Sequence, residues 1–413
     1  MGWAINIIKA DKYSISKESR LVWSIAQWVV NDRRMPEIEK ILAQGAVNWE
    51  YFNTLLAHHE LSSFAYPCFK NYSSMLPRSE ADLLKKNHYS ILMHLASLEK
   101  EFLEITDIFR DRGVELLPLK GSDFLIDNMY GSKAGLRPMV DIDILVKKEK
   151  LSQAEKLIET LGYKKELYGL TEDYWIKRNY HIVFVKKGSG KMFSTLVEMH
   201  WLLDYPGKIS LLPSIWDRAR RLQSGDREIA LLSPEDMLFC LVLHLRRFGN
   251  VLSLKSACDF ACLLTKYKDL DWDYILKEAK RGQMCASLYF RLIQADIFFD
   301  IKVPSAILDS LCRVNYKRRL IGRFILKNTF LGLNNPGNSI FLKNHFLVYD
   351  NFWSPVGMIM NMPQEQFAKF YQLPPYSAKT FLLYRLRFLY FPYYLFVLIL
   401  KAAIRRIVKG GAA

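Results

Sequence analysis

The run Val140-Asp141-Ile142-Asp143-Ile144-Leu145-Val146 constrains this chain more than any other feature. Its opening alternation has the period of a β-strand, in which residues i and i+2 share a face. Asp141 and Asp143 therefore project together, and Val140, Ile142 and Ile144 are expected to pack on the other side. Two carboxylates this close disfavour each other's ionisation. A divalent cation removes that repulsion. Mg2+ is held by one or two carboxylates plus substrate phosphates, and paired metals stabilise the attacking and leaving oxygens of phosphoryl-type transfer. Glycosyltransferases also use an Asp-x-Asp strand, so the pair alone does not fix the chemistry.

Its surroundings narrow the choice. Upstream, a short apolar strand over 114–119 leads into Lys120-Gly121-Ser122, and Asp123–Tyr130 reads as a helix. Glycine lets a backbone approach a phosphate, and a helix N-terminus offers free N–H groups and a favourable dipole. Ser122 adds a hydroxyl and Lys120 a point charge. Arg137, four residues before Asp141, either binds a triphosphate or pairs with the aspartates. Downstream, the strand Leu196–Trp201 puts Glu198 and His200 on one face. Glu198 would complete a metal site or take an acceptor's proton. His200 is expected as a hydrogen-bonding support, with ligand or base as the alternative.

Around this segment the chain reads as helices. Residues 1–112 form an N-terminal helical region that ends in one long amphipathic helix from Glu80 to Arg112, closed by Gly113. Residues 113–205 follow as helix, strand, strand, helix, strand, strand, with strands at 140–146, 181–185 and 196–201, a helix at Leu151–Leu161 and a hairpin turn at Gly188-Ser189-Gly190. After Pro206 the pattern turns helical again to residue 413. Ser233-Pro234-Glu235-Asp236 is a helix start with Ser as N-cap and Pro in the first position. Further helices are expected over Leu252–Leu264 and Trp272–Ala279. The fold class is α+β: a small mixed-sheet core flanked by N-terminal and C-terminal helical domains.

Taken in order, Lys120-Gly121-Ser122, the Asp141-Ile142-Asp143 strand and Val197-Glu198-Met199-His200-Trp201 resemble the uncharacterised bacterial nucleotidyltransferase family of the polymerase-β-like superfamily. Gly162-Tyr163, Leu232-Ser233-Pro234-Glu235-Asp236, His244 and Asp259 extend the resemblance into the flank. The third acid is Glu rather than Asp, and the gap from Gly121 to Asp141 is longer than in compact members of that superfamily. The resemblance implies transfer of a nucleoside monophosphate from an NTP to a small-molecule, peptide or protein acceptor, with Mg2+ (or Mn2+) required. It makes Asp141, Asp143 and Glu198 the metal-binding carboxylates. It places Lys120, Gly121, Ser122 and Arg137 at the nucleotide. His200, His244 and Asp259, with Arg246, Arg247 and Lys255, become candidates for the acceptor cleft; a structural His244–Asp259 contact between packed helices is the other reading.

The chain has 413 residues and a formal charge of +16. That balance suits nucleotides, nucleic acids or anionic membranes, but no RNA-binding signature accompanies it, so nucleic acid is not the expected partner. The six cysteines are scattered without a CxxC pair and read as reduced core residues, Cys258 and Cys262 on one helix face. The opening MGWAINIIKADKYS fits neither a signal peptide nor a myristoylation site, so a cytoplasmic protein is expected. From Lys379 onward there are seven Lys or Arg and no Asp or Glu. The apolar run Phe388–Leu400 is 13 residues long, with Pro392 inside it. That is short of the roughly 18–20 needed to span a bilayer. A basic amphipathic segment peripheral to the inner face of the membrane is one reading, and a core helix with a solvated end is another. The competing functions are a catalytically weak nucleotide-binding or scaffolding protein, and a kinase-like or glycosyl-transferring enzyme using the same metals.

Overall fold

The structure is a computed structural model. It describes residues 15–31, 36–45, 47–188, 194–205, 214–248, 253–313, 315–331 and most of 346–389. The chain opens with helices α1 (Lys17–Asn31), α2 (Pro36–Ala43), α3 (Trp49–His58) and α4 (Ser62–Phe69), then the long helix α5 (Arg78–Asp111). At 34 residues, α5 runs about 50 Å. Gly113 ends it in the left-handed region at φ +65°, where glycine carries no Cβ penalty.

The mixed core follows as β1 (Leu116–Pro118), α6 (Lys120–Ile126), β2 (Asp141–Val146), α7 (Leu151–Thr160), β3 (Lys164–Glu166), α8 (Glu172–Arg178), β4 (His181–Lys186) and β5 (Thr195–His200). The sheet order is β1-β2-β5-β4-β3. Only β2 and β5 pair in parallel; the other neighbours are antiparallel. Sequence pattern placed four of these strands. It missed β3, whose three residues Lys164-Lys165-Glu166 carry no apolar signal. The turn expected at Gly188-Ser189-Gly190 lies largely outside the described residues.

Alternation along the strands gives the sheet two different faces. Ile142, Ile144, Val146, Ile182, Phe184, Val197 and Met199 form one core with Leu98, Phe102, Ile105 and Phe109 of α5 and Ala154 and Ile158 of α7. Each such fully buried large side chain contributes about 1.5–3 kcal/mol. Val140 does not join them. It precedes the strand and is 66% exposed, contrary to the expectation that it packs beside Ile142. The opposite face carries Asp141, Asp143, Glu198, His200 and His181, and only its β1–β2 edge, through Leu117 and Leu145, enters the second core.

That second core unites the two ends of the chain. After β5 comes a hairpin, β6 (Arg220–Ser224) and β7 (Arg227–Leu231), which the sequence pattern had read as part of a helical region. Its turn signal, Ser224-Gly225-Asp226, was present. Helices α9 (Pro234–Phe248), α10 (Leu254–Lys266), α11 (Trp272–Arg281), α12 (Cys285–Phe299), α13 (Ser305–Leu311), α14 (Asn315–Leu331) and α15 (Gln364–Phe370) complete the described elements. The expected cap is in place: Ser233 Oγ accepts the Asp236 amide at 3.2 Å. Helix α1 packs on α10 and α12, so the two helical regions flank the core in sequence but share one hydrophobic core in space. None of the six cysteines is in a disulfide, and Cys258 and Cys262 are buried on α10. Among the described residues no helix is long and apolar enough to cross a membrane.

Candidate active site

The polar face of the sheet is where the predicted acids meet. The β2–β5 register sets Asp143 directly opposite Glu198 and Leu145 opposite His200. The β4–β5 register then sets His181 opposite His200. The carboxylates of Asp141, Asp143 and Glu198 each offer an oxygen within 4.8 Å of the others. His200 Nε2 lies 3.0 Å from Asp143 Oδ1 and 3.4 Å from Glu198 Oε2. His200 is thus buried inside the acidic cluster.

Lys120 supplies the balancing charge. Its Nζ lies 2.7 Å from Asp143 Oδ1 and 3.9 Å from Glu198 Oε2. The residue stands at φ +48°, an uncommon conformation for a non-glycine, at the junction of β1 and α6. The helix begins at Lys120 and not after Ser122, so Lys-Gly-Ser is its first turn rather than a loop before it. Burial penalises every ionised group here, but the outcomes differ. Burial and the neighbouring Asp143 raise Asp141 to about 7. For Asp143, burial is outweighed by Lys120 and the His200 hydrogen bond, which hold it well below the usual range. Glu198 is also lowered: burial and Asp143 push it up, but the His200 hydrogen bond together with the nearby His200 and Lys120 outweighs them. Asp141 is therefore the acid whose charge the protein leaves least compensated.

Gly121 and Ser122 are buried in the first turn of α6. Ser122 is 1% exposed, and its Oγ has no partner among the described residues. A Cβ on Gly121 would meet Arg137 Nη1 at 2.6 Å and Met139 Cβ at 3.2 Å. Arg137 does not face the aspartates of β2. Its Nε and Nη2 donate to Asp259 Oδ1 and Oδ2 at 2.7 and 2.8 Å, and Tyr130 Oη donates to the same carboxylate at 2.5 Å. Asp259 is accordingly a buried anchor between α10 and the Lys-Gly-Ser turn, and its partner is Arg137 rather than His244. His244 lies on α9. Arg246 is buried against Asp204, and the Arg247 side chain lies outside the described residues. Lys255 lies on α10. It pairs with Glu60 at 2.7 Å, and its charge acts to lower Asp141.

A family model described as an uncharacterised nucleotidyltransferase matches residues 45–300. The chain belongs to that family. No curated protein and no solved structure matches it. The match takes in β2, β5, the Lys-Gly-Ser turn and α10, and so every residue of the site described above. Family membership gives transferase chemistry with a nucleotide as its coarse description, and the carboxylates supply a group able to hold a metal.

One site residue escaped the sequence reading. His181 Nε2 lies 3.8 Å from Glu198 Oε1, and with Glu198 and His200 it forms a second group of metal-capable side chains. Its strand was recognised, but parity along one strand does not reveal what the next strand brings opposite it.

Proposed function

We propose that this protein is a metal-dependent nucleotidyltransferase of polymerase-β-like type, which moves a nucleoside monophosphate from an NTP to a small-molecule, peptide or protein acceptor. The observation that carries the reading is the convergence of Asp141, Asp143 and Glu198 from two adjacent parallel strands, with a lysine at their edge. The donor set fits Mg2+ or Mn2+: three carboxylates, all hard oxygen ligands, one of them raised to about 7 by burial and by its neighbour Asp143. Asp141, Asp143 and Glu198 would hold the ion, which supplies charge neutralisation to the triphosphate and the leaving group. Lys120 is placed to leave Asp143 for a phosphate oxygen when a cation takes its place. Gly121, Ser122 and Arg137 act by holding Lys120 in its strained turn. The acceptor's oxygen bonds to the α-phosphorus, the α–β anhydride bond breaks, pyrophosphate leaves, and the acceptor's proton passes to a carboxylate of the site.

Peripheral contact with an anionic membrane belongs to the same proposal. It is supported by the exposed Phe381, Leu382, Leu386 and Leu389 and by the absence of any acid after Glu365. The basic segment that follows lies mostly outside the described residues.

The deciding experiment gives the four NTPs with Mg2+ to the wild-type protein and to Asp141→Ala/Asp143→Ala, reading pyrophosphate release and intact mass. Release by wild type alone supports the reading, and a nucleotide-sized mass increment on the chain would name the protein as its own acceptor. Equal release by the double variant would sink it. Absence of NTP binding would favour a scaffold.

A further inference from the structure

We propose that His181, His200 and Glu198 form a second metal position, sharing Glu198 with the carboxylate site, that takes a borderline divalent cation such as Zn2+ or Fe2+ rather than Mg2+. This goes beyond the nucleotidyl-transfer reading and does not depend on it.

Ligand type comes first. Imidazole nitrogen suits Zn2+, Fe2+ and their neighbours, whereas Mg2+ prefers oxygen. Two histidines with one carboxylate leave coordination positions open, as catalytic zinc sites do. Spacing comes second. Ligand atoms at about 2.0–2.2 Å from a tetrahedral ion stand about 3.3–3.6 Å from one another. His200 Nε2 is 3.4 Å from Glu198 Oε2, and His181 Nε2 is 3.8 Å from Glu198 Oε1. All three groups offer an atom within 4.8 Å of the others.

A purely hydrogen-bonding role accounts for His200, which reaches Asp143 at 3.0 Å. His181 Nε2 stands 3.8 Å from the other oxygen of Glu198, beyond hydrogen-bond length. That distance is close to the spacing of two ligands on one ion. The backbone holds the pair in place, because His181 and His200 are direct cross-strand partners with ring centroids 5.0 Å apart. The group is also reachable: His181 is 11% and Glu198 26% exposed. Ligation by His200 Nε2 replaces its contact to Asp143 with one to the cation; Glu198 faces His181 with Oε1 and His200 with Oε2, and Oε2 is the oxygen it would share with the carboxylate position.

The test uses the full-length, metal-stripped protein and Co2+ as a spectroscopic stand-in. Co2+ is titrated in excess Mg2+, which occupies the carboxylate set, and followed by visible absorption and calorimetry. Wild type should take up one Co2+ with the ligand-field bands of nitrogen coordination. His181→Ala should bind it at least tenfold more weakly, and Asp141→Asn should bind it as wild type does. His181→Gln, which keeps a polar side chain of similar reach, repeats the measurement, with thermal melting to confirm that both variants are folded. Uptake by His181→Ala equal to wild type overturns the proposal. So does equal loss in Asp141→Asn and His181→Ala, which would mean a single carboxylate site, and so does absence of uptake by wild type. Pyrophosphate release by these proteins reports on nucleotidyl transfer separately.

Discussion

Gly121→Ala separates the packing of the Lys-Gly-Ser turn from its helical character, because the two predict opposite signs. Gly121 lies within α6, where Ala is the better residue by about 0.8–1.0 kcal/mol. Propensity alone therefore predicts a more stable protein. The structure predicts the reverse. The added Cβ would stand 2.6 Å from Arg137 Nη1 and 3.2 Å from Met139 Cβ. A long side chain can often swing away from such a clash, but Arg137 is held at both Nε and Nη2 by Asp259 and is buried. Overpacking of this kind costs about 1–3 kcal/mol. It also draws on a buried charge pair whose outright loss costs about 3–5 kcal/mol. After the gain in propensity, a net destabilisation of about 2–3 kcal/mol remains, measured as a shift of the urea unfolding transition. Arg137→Lys removes Nη1, so in that background Gly121→Ala should cost less than about 1 kcal/mol, a coupling read directly from the double-mutant cycle. A neutral or stabilising Gly121→Ala in the wild-type background would refute the reasoning, as would equal costs in the two backgrounds.

Three further outcomes are expected. Lys120→Met removes the ammonium that competes with a cation for Asp143, so calorimetry without nucleotide should show tighter Mg2+ binding, on the order of tenfold, while NTP binding at fixed Mg2+ weakens. His59 is enclosed, its Nδ1 accepts the Leu254 amide at 3.3 Å, and burial pushes its pKa down to about 3. The unfolded chain binds this proton below about pH 6.5 and the folded chain does not, so stability present above that pH falls by about 1.4 kcal/mol per unit as pH drops towards 3. Denaturation at pH 7, 6 and 5 should show the slope in wild type, and His59→Asn should flatten it. Asp204→Ala leaves the buried Arg246 guanidinium without a carboxylate, against the Gly282 and Gln283 carbonyls and the Tyr349 ring, and a loss of about 3 kcal/mol is expected in chemical denaturation.

What the sequence revealed and what it hid follow one rule: interactions local in the chain were legible, and pairings across it were not. The alternation around Asp141 and Asp143 identified the strand and the shared face, because period two is a property of a single segment. Ser233 and Pro234 announced α9 for the same reason. That Glu198 would fall opposite Asp143 depended on a parallel register between segments some fifty residues apart, and only the acid's identity hinted at it. Arg137 shows the cost of reading a charge by sequence distance. Four residues from Asp141 it seemed bound for phosphate or carboxylate there, yet its partner, Asp259, lies 122 residues away. The hairpin β6–β7 was hidden differently: Arg220-Arg221-Leu222-Gln223 alternates only weakly, so its turn dipeptide was the better signal.

The division of charge between the two cores explains how three carboxylates are held so close together. The sheet contributes Asp141, Asp143 and Glu198, and the cations that temper them come from its margins: Lys120 from the β1–α6 junction and Lys255 from α10. Lys255 is positioned by the helical core, where its amide donates to the His59 carbonyl at 3.2 Å and its ammonium meets Glu60. The Arg137–Asp259–Tyr130 knot fixes α10 against the turn that carries Lys120, so the two lysines cannot drift apart independently.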